Sequence, residues 1–190
     1  DNKIEIVYRS VRLDPHIDLN VTPCNYDYRN KSEIKIAIFG TVHEGKGQED
    51  IVRAGMELLK SGRKVKIYIF GYSDPHYLAF IKDLIDASAY KENFIILYFV
   101  ENPIEQMKEM DIIVSCSRNE ALGRTLFEAI LLEKPIVYSN SGGPKEIFTD
   151  QKHGLAYRPA DEHSLVEKLL FAIDHPDKTR LRVRAAKEYV

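Results

Sequence analysis

Two glutamates, Glu120 and Glu128, stand eight positions apart around a glycine in Glu120-Ala121-Leu122-Gly123-Arg124-Thr125-Leu126-Phe127-Glu128. A β-rich run, Asp111–Ser115, precedes this stretch, and a helical pattern, Thr125–Leu132, closes it. A strand end, a glycine and a helix start together make an anion site, because the first helical amides lack intrahelical partners. Glu120 precedes the helix. Glu128 falls about a turn and a half inside it at roughly 3.6 residues per turn. One carboxylate can then meet one end of a bound phosphate compound while the second meets the other end. Ionised carboxylates accept hydrogen bonds and so suit sugar hydroxyls. The same residues fit equally well as two surface glutamates favoured by the helix dipole.

Two further loops have suitable chemistry. Gly40-Thr41-Val42-His43-Glu44-Gly45-Lys46-Gly47 is glycine-rich but has neither P-loop nor dinucleotide spacing. Lys46 would project from a flexible turn there and neutralise phosphate as a point charge, or else be a solvated lysine. Ser139-Asn140-Ser141-Gly142-Gly143-Pro144-Lys145-Glu146 places two glycines before a proline at a helix start, where backbone can reach a ligand. Many βα loops look like this one. No histidine pair has metal-ligand spacing, and no serine sits in a nucleophile elbow. Cys24 and Cys116 are in no metal or redox spacing and read as reduced thiols of a cytosolic protein.

These loops need a scaffold, and the hydrophobic pattern supplies one. Strand-like runs cover Ile34–Phe39, Val65–Phe70, Phe94–Phe99, Asp111–Ser115, Pro135–Tyr138 and Gly154–Tyr157. Helical patterns lie between them, and Ser164–Ile173 and Thr179–Val190 follow. Alternation of this kind predicts an α/β fold, a Rossmann-like parallel sheet with helices on both faces. Nearly continuous apolar strands agree with double coverage. Ligands of open parallel sheets bind beyond the carboxyl ends of the strands, which is where these loops fall. The tyrosines and phenylalanines at strand ends read mainly as core, with Tyr72, Tyr98 and Phe99 near the inferred rim.

Residues 1–33 are polar and irregular apart from one short strand at Ile4–Tyr8. They read as linker or surface loop, 34–178 as the ligand-binding domain, and 179–190 as the start of a truncated C-terminal helix. The chain opens at Asp1, so it reads as a piece of something longer. Its formal charge of -2 speaks against a nucleic-acid partner. It contains no apolar run of membrane-spanning length.

Taken together, the loops resemble glycosyltransferase family 4, a large group of retaining enzymes with the GT-B fold. Glu120 to Glu128 is similar to its E-x7-E signature. Lys134-Pro135-Ile136-Val137 followed by Gly142-Gly143-Pro144-Lys145-Glu146-Ile147 resembles its P-V and G-G-x-x-E stretch. Gly40 through Lys46-Gly47 resembles its first loop, and Gly154-Leu155 through Pro159 and Asp161 its G-x-L-x-x-P-x-D segment. The motifs run in order across residues 34–175 and make the chain look like the C-terminal domain of such an enzyme, with residues 1–33 as its interdomain crossover.

The resemblance implies residue roles. Glu128 would bond the ribose of a sugar nucleotide, and Glu120 would sit by the transferred sugar. Leu122, Gly123 and Arg124 would present backbone to sugar and diphosphate, where Thr125 begins the helix. Lys46 would hold the diphosphate and share catalysis with Glu120, with Gly40 allowing close approach. Tyr72 and the backbone near Val100 would line the base pocket. Thr41 stands where the family usually has arginine, so one cation of a clamp is replaced.

The implied reaction moves a sugar from a UDP- or GDP-sugar to an acceptor glycan or lipid-linked sugar held by a missing N-terminal domain. The leaving phosphate would help deprotonate the acceptor, and no metal or other cofactor would be needed. The fragment alone would not turn over. The whole enzyme would be cytoplasmic, with the inner face of a membrane as a further partner. Two alternatives accompany this reading: a sugar-nucleotide epimerase of the same fold, and, because of Thr41, a non-catalytic sugar-nucleotide-binding module.

Overall fold

In Ile34–Phe39 and Val65–Phe70 every second residue is a branched aliphatic, and the period-two geometry of a strand divides the core between the two faces of one sheet. A computed structural model describes residues 24–190; the strand expected at Ile4–Tyr8 lies outside the described residues. The sheet contains β1 (Ile34–Phe39), β2 (Val65–Phe70), β3 (Phe94–Leu97), β4 (Ile112–Ser115), β5 (Ile136–Ser139) and β6 (Leu155–Tyr157). All neighbouring strands pair in parallel, in the order β3-β2-β1-β4-β5-β6.

The helices are α1 (Gln48–Lys60), α2 (Pro75–Asp86), α3 (Pro103–Lys108), α4 (Arg124–Leu131), α5 (Gly142–Ile147), α6 (Glu162–Asp174) and α7 (Pro176–Tyr189). Ile36, Ile38, Ile67, Ile69, Ile112, Val114 and Val137 face a core completed by Ile51 and Leu58 of α1, Ile81 of α2 and Leu165 and Leu169 of α6. Ala37, Phe70, Ile113, Ile136 and Tyr138 face the other core, with Met107 of α3, Leu126 and Ile130 of α4 and Ala186 of α7. Helices therefore cover both faces, as the apolar strands required. Among the described residues no helix is long and apolar enough to cross a membrane.

Some element ends differ from the sequence expectation. β3 stops at Leu97, not Phe99. Its partner β2 ends at Phe70, and the last ladder bond runs from the Gly71 amide to the Leu97 carbonyl at 3.0 Å. Tyr98 and Phe99 have no strand left to pair with and turn outward to solvent. The final helix begins at Pro176 rather than Thr179, since proline suits a first helical turn. α4 begins at Arg124 rather than Thr125, and Glu128 lies about one turn past its first residue.

Candidate functional site

The strand order reverses between β1 and β4, and that switch point opens a crevice where the loops after both strands meet. The β1–α1 loop is not a free turn. Its residues Glu44–Lys46 form a short 3-10 turn, with the Gly45 amide donating to His43 Nδ1 at 3.1 Å and Gly47 left-handed at φ 63°. Lys46 therefore leaves a fixed turn, where the sequence suggested a flexible one. Its ammonium forms an ion pair with Glu120 Oε2. The Ser117 hydroxyl donates to the same oxygen at 2.9 Å.

Two cavities share a wall here. The first, about 320 Å3, is lined by Gly40, Thr41, Lys46, Glu120, Leu122, Gly123, Arg124 and Thr125, with Gln48 and Ser117 beside them. The second, about 370 Å3, is lined by Gly40, Thr41, Tyr72, Val100, Arg124, Thr125 and Glu128, with Phe70, Phe99 and Met107 behind them. Gly40, Thr41, Arg124 and Thr125 border both. Each residue to which the resemblance gives a role thus lines one cavity or the other. Gly40 has φ 133° and open space where a Cβ would stand, so its backbone faces the crevice bare.

Gly142 and Gly143 behave differently from the expectation. They line neither cavity. They pack against the β4–α4 loop, and the Gly143 amide donates to the Glu120 carbonyl at 2.7 Å. Their smallness lets the two loops touch, since a Cβ on either would stand 2.1 Å from a backbone oxygen of the β4–α4 loop. A larger cavity, about 510 Å3, lies at the opposite ends of the strands among Tyr28, Lys31, Lys35, Lys134 and Asp111. It contains none of the expected site residues, and it is at the end of a parallel sheet where ligands are not normally held.

A model of the glycosyl transferases group 1 family matches residues 28–189. The chain belongs to that family. An uncharacterized glycosyltransferase of Methanocaldococcus jannaschii is 28% identical over 77% of this chain and 36% of its own length. A second from the same organism is 25% identical over 100% of this chain and 48% of its own. The chain thus spans half or less of these curated relatives. The structure of Anabaena HepE in complex with UDP-glucose superposes with a TM-score of 0.79 at 20% identity, covering 90% of this chain and 49% of that one. The C-terminal domain of a Francisella tularensis group 1 protein superposes with a TM-score of 0.74 at 22% identity, over 83% of this chain and 84% of that one. The fold is the Rossmann-like, GT-B-type domain of these structures.

The two glutamates of this group 1 domain sit in unlike electrostatic settings. Burial alone would raise the Glu120 carboxyl. The Lys46 ammonium, the Ser117 hydroxyl and the Gly123 amide outweigh it and hold the group below the ordinary glutamate value. Glu128 is pushed the other way by burial, which the Arg124 guanidinium only partly offsets. Arg124 stands 3.3 Å from Glu128 with its side chain 72% exposed, against 13% for Glu128. A screened i,i+4 pair of this kind contributes little.

Aromatic rings form the outer rim. Phe39 stacks on Phe70 with centroids 4.4 Å apart, and Tyr72 leans on Phe99 at 5.1 Å. Tyr72 and Phe99 are 67% and 61% exposed, so the second cavity ends in two solvent-facing rings rather than in core. Ser117 and Gln48 carry no sequence signal that marks them as cavity residues, and Phe99, placed near the rim by the sequence, lines the second cavity. Only the fold shows which way these side chains lie. Gln48 Nε2 donates to the Thr41 carbonyl at 2.9 Å and steadies that wall.

Proposed function

We propose that this group 1 domain is the donor half of a retaining glycosyltransferase that takes a UDP- or GDP-sugar. The carrying observation is the pair of joined cavities at the switch point. One side offers a cation, a carboxylate and a helix start. The other offers a half-buried carboxylate and aromatic rings. That sequence of groups fits sugar, diphosphate, ribose and base in line. The Anabaena relative bound to UDP-glucose supports such a donor.

In this reading the sugar–phosphate bond breaks as an oxocarbenium-like sugar forms, and negative charge grows on the leaving diphosphate. Lys46 and the first amides of α4 stabilise that charge, and such pre-aimed electrostatics is usually the largest catalytic contribution. Arg124, exposed across from Thr41 on the shared wall, supplies a second cation. Glu128 accepts from the ribose hydroxyls. The reaction then needs no metal, because these groups provide the positive charge. The acceptor, a glycan or lipid-linked sugar, belongs to the remainder of a protein about twice this length. Turnover belongs to the full-length enzyme, not to this domain alone. Following the anomeric proton of the product by NMR in that enzyme tests retention. The product keeps the donor's configuration, and an inverted product rejects the mechanism.

Glu128→Gln tests the donor site on this chain. Burial raises the Glu128 carboxyl, so its ionised form costs stability once the pH passes above the unfolded-state value. Glutamine removes that cost, and Tm at neutral pH rises by up to a few degrees. UDP affinity falls about tenfold, since an amide replaces a charged acceptor of ribose hydroxyls. Calorimetric titration with UDP and a thermal melt measure both. Unchanged UDP affinity removes Glu128 from the site.

A further inference from the structure

A polar network lies behind the cavities and touches neither. Arg118, in the loop after β4, forks onto α1: its Nη2 donates to Asp50 Oδ1 at 2.8 Å and to Glu49 Oε1 at 2.8 Å. Its Nη1 donates to Asp50 Oδ2. The Tyr157 hydroxyl, from the end of β6, donates to that same Oδ2 at 2.9 Å. Asp50 and Tyr157 are only 4% and 1% exposed. A buried carboxylate is tolerated when its lone pairs are filled this completely.

The same arginine also holds the Lys46 turn by its backbone. The Arg118 amide donates to the Gly45 carbonyl at 2.8 Å. A Cβ on Gly47 would stand 2.5 Å from the Cys116 carbonyl and 3.2 Å from Arg118 Cζ, so turn and loop are in contact there. Lys46 lies between Gly45 and Gly47, and Glu120 lies two residues beyond Arg118. The turn is therefore hydrogen-bonded to Arg118 on one side of Lys46, through Gly45, and packed closely against it on the other, at Gly47.

We propose that Arg118 is a positioning residue, which locks the Lys46 turn to the Glu120 loop and so sets the ammonium at the diphosphate end of the crevice. The consequence for binding rests on the nucleotide-sugar reading above; the placement of Lys46 does not. A planar fork suits this work. Two parallel N–H bonds to one carboxylate fix orientation as well as distance, which a lysine ammonium cannot do. Tyr157 and Asp50 prevent the fork from turning, and the network ties β4, α1 and β6 together around the turn.

The test uses Arg118→Ala and Lys46→Ala, singly and combined, in the 190-residue chain. UDP is titrated well below the melting temperature of each variant. NMR of reductively 13C-methylated lysines follows the Lys46 resonance, with Glu120→Gln marking its unpaired position. Arg118→Ala weakens UDP binding about tenfold in the parent chain and has no further effect beside Lys46→Ala, because coupled residues are not additive. It also moves the Lys46 resonance to the position seen with Glu120→Gln. Additive losses, or a lowered Tm with UDP affinity and the Lys46 resonance unchanged, would overturn the proposal. Should Lys46→Ala leave UDP binding intact, the nucleotide reading fails, and the resonance decides alone: a shift supports the positioning role, and an unmoved signal rejects it. Where the alanine variant does not fold, Arg118→Lys serves in both measurements, because it keeps the charge and loses the fork.

Discussion

Gly142→Ala is expected to destabilise the chain by roughly 3 kcal/mol or more and to abolish nucleotide binding. Gly142 has φ 55°, a left-handed conformation that alanine adopts only with strain. The added Cβ would stand 2.1 Å from the Glu120 carbonyl oxygen and 2.8 Å from its amide nitrogen. Both are backbone atoms, so no side chain can swing away. The loop must retreat, and the bond from the Gly143 amide to the Glu120 carbonyl breaks with it. Glu120 then no longer faces Lys46. For a domain of this size Tm should fall by about 10 °C. Chemical denaturation, a thermal melt and a UDP titration measure the three effects. An alanine variant with the parent Tm and affinity would show that the two loops do not depend on each other.

Lys46→Ala is expected to weaken UDP binding by about ten- to a hundredfold while leaving the fold intact. Charge-assisted hydrogen bonds of about 1.5–3 kcal/mol set that range. The Lys46 side chain is about a third exposed, so solvent and salt screen part of the attraction. Raising the salt concentration should therefore weaken UDP binding to the parent more than to the variant. The variant also removes the cation that holds Glu120 below its ordinary value. That carboxylate contributes stability above the unfolded-state value and loses it as pH falls through the folded one. Without Lys46, burial is less well offset and this acid-side stability shrinks. A pH series of melts shows it as a smaller gain in Tm from mildly acid to neutral solution. Equal UDP affinity in parent and variant would remove Lys46 from the diphosphate site.

Each substitution reaches Glu120 from a different side. Gly142 supports its backbone, and Lys46 pairs its carboxylate. A ligand phosphate entering the first cavity meets donors already engaged with Glu120: the Lys46 ammonium and the Gly123 amide. Donor binding in the proposed reading therefore exchanges one anion for another at these groups. Exchange of this kind costs less than bringing an unpaired charge out of water.

Local patterning was enough to determine much of this protein. Short apolar, β-rich runs marked the six strands, and glycines and prolines marked several of their ends, because those signals act through near neighbours. Strand–helix alternation then implied a parallel sheet and located the candidate loops at its carboxyl edge. Lys46, Glu120, Glu128 and their loop neighbours line the two cavities there, whereas Gly142 and Gly143 do not. Tertiary structure alone decided the contacts between loops far apart in sequence. It paired Lys46 with Glu120, turned Gly142 and Gly143 toward the Glu120 loop, and ended β3 at Leu97 where its partner strand ended. It also enclosed Asp50 between Arg118 and Tyr157, residues 68 and 107 positions away. No local pattern encodes such partners, since a side chain's direction across a crevice depends on how the strands are ordered.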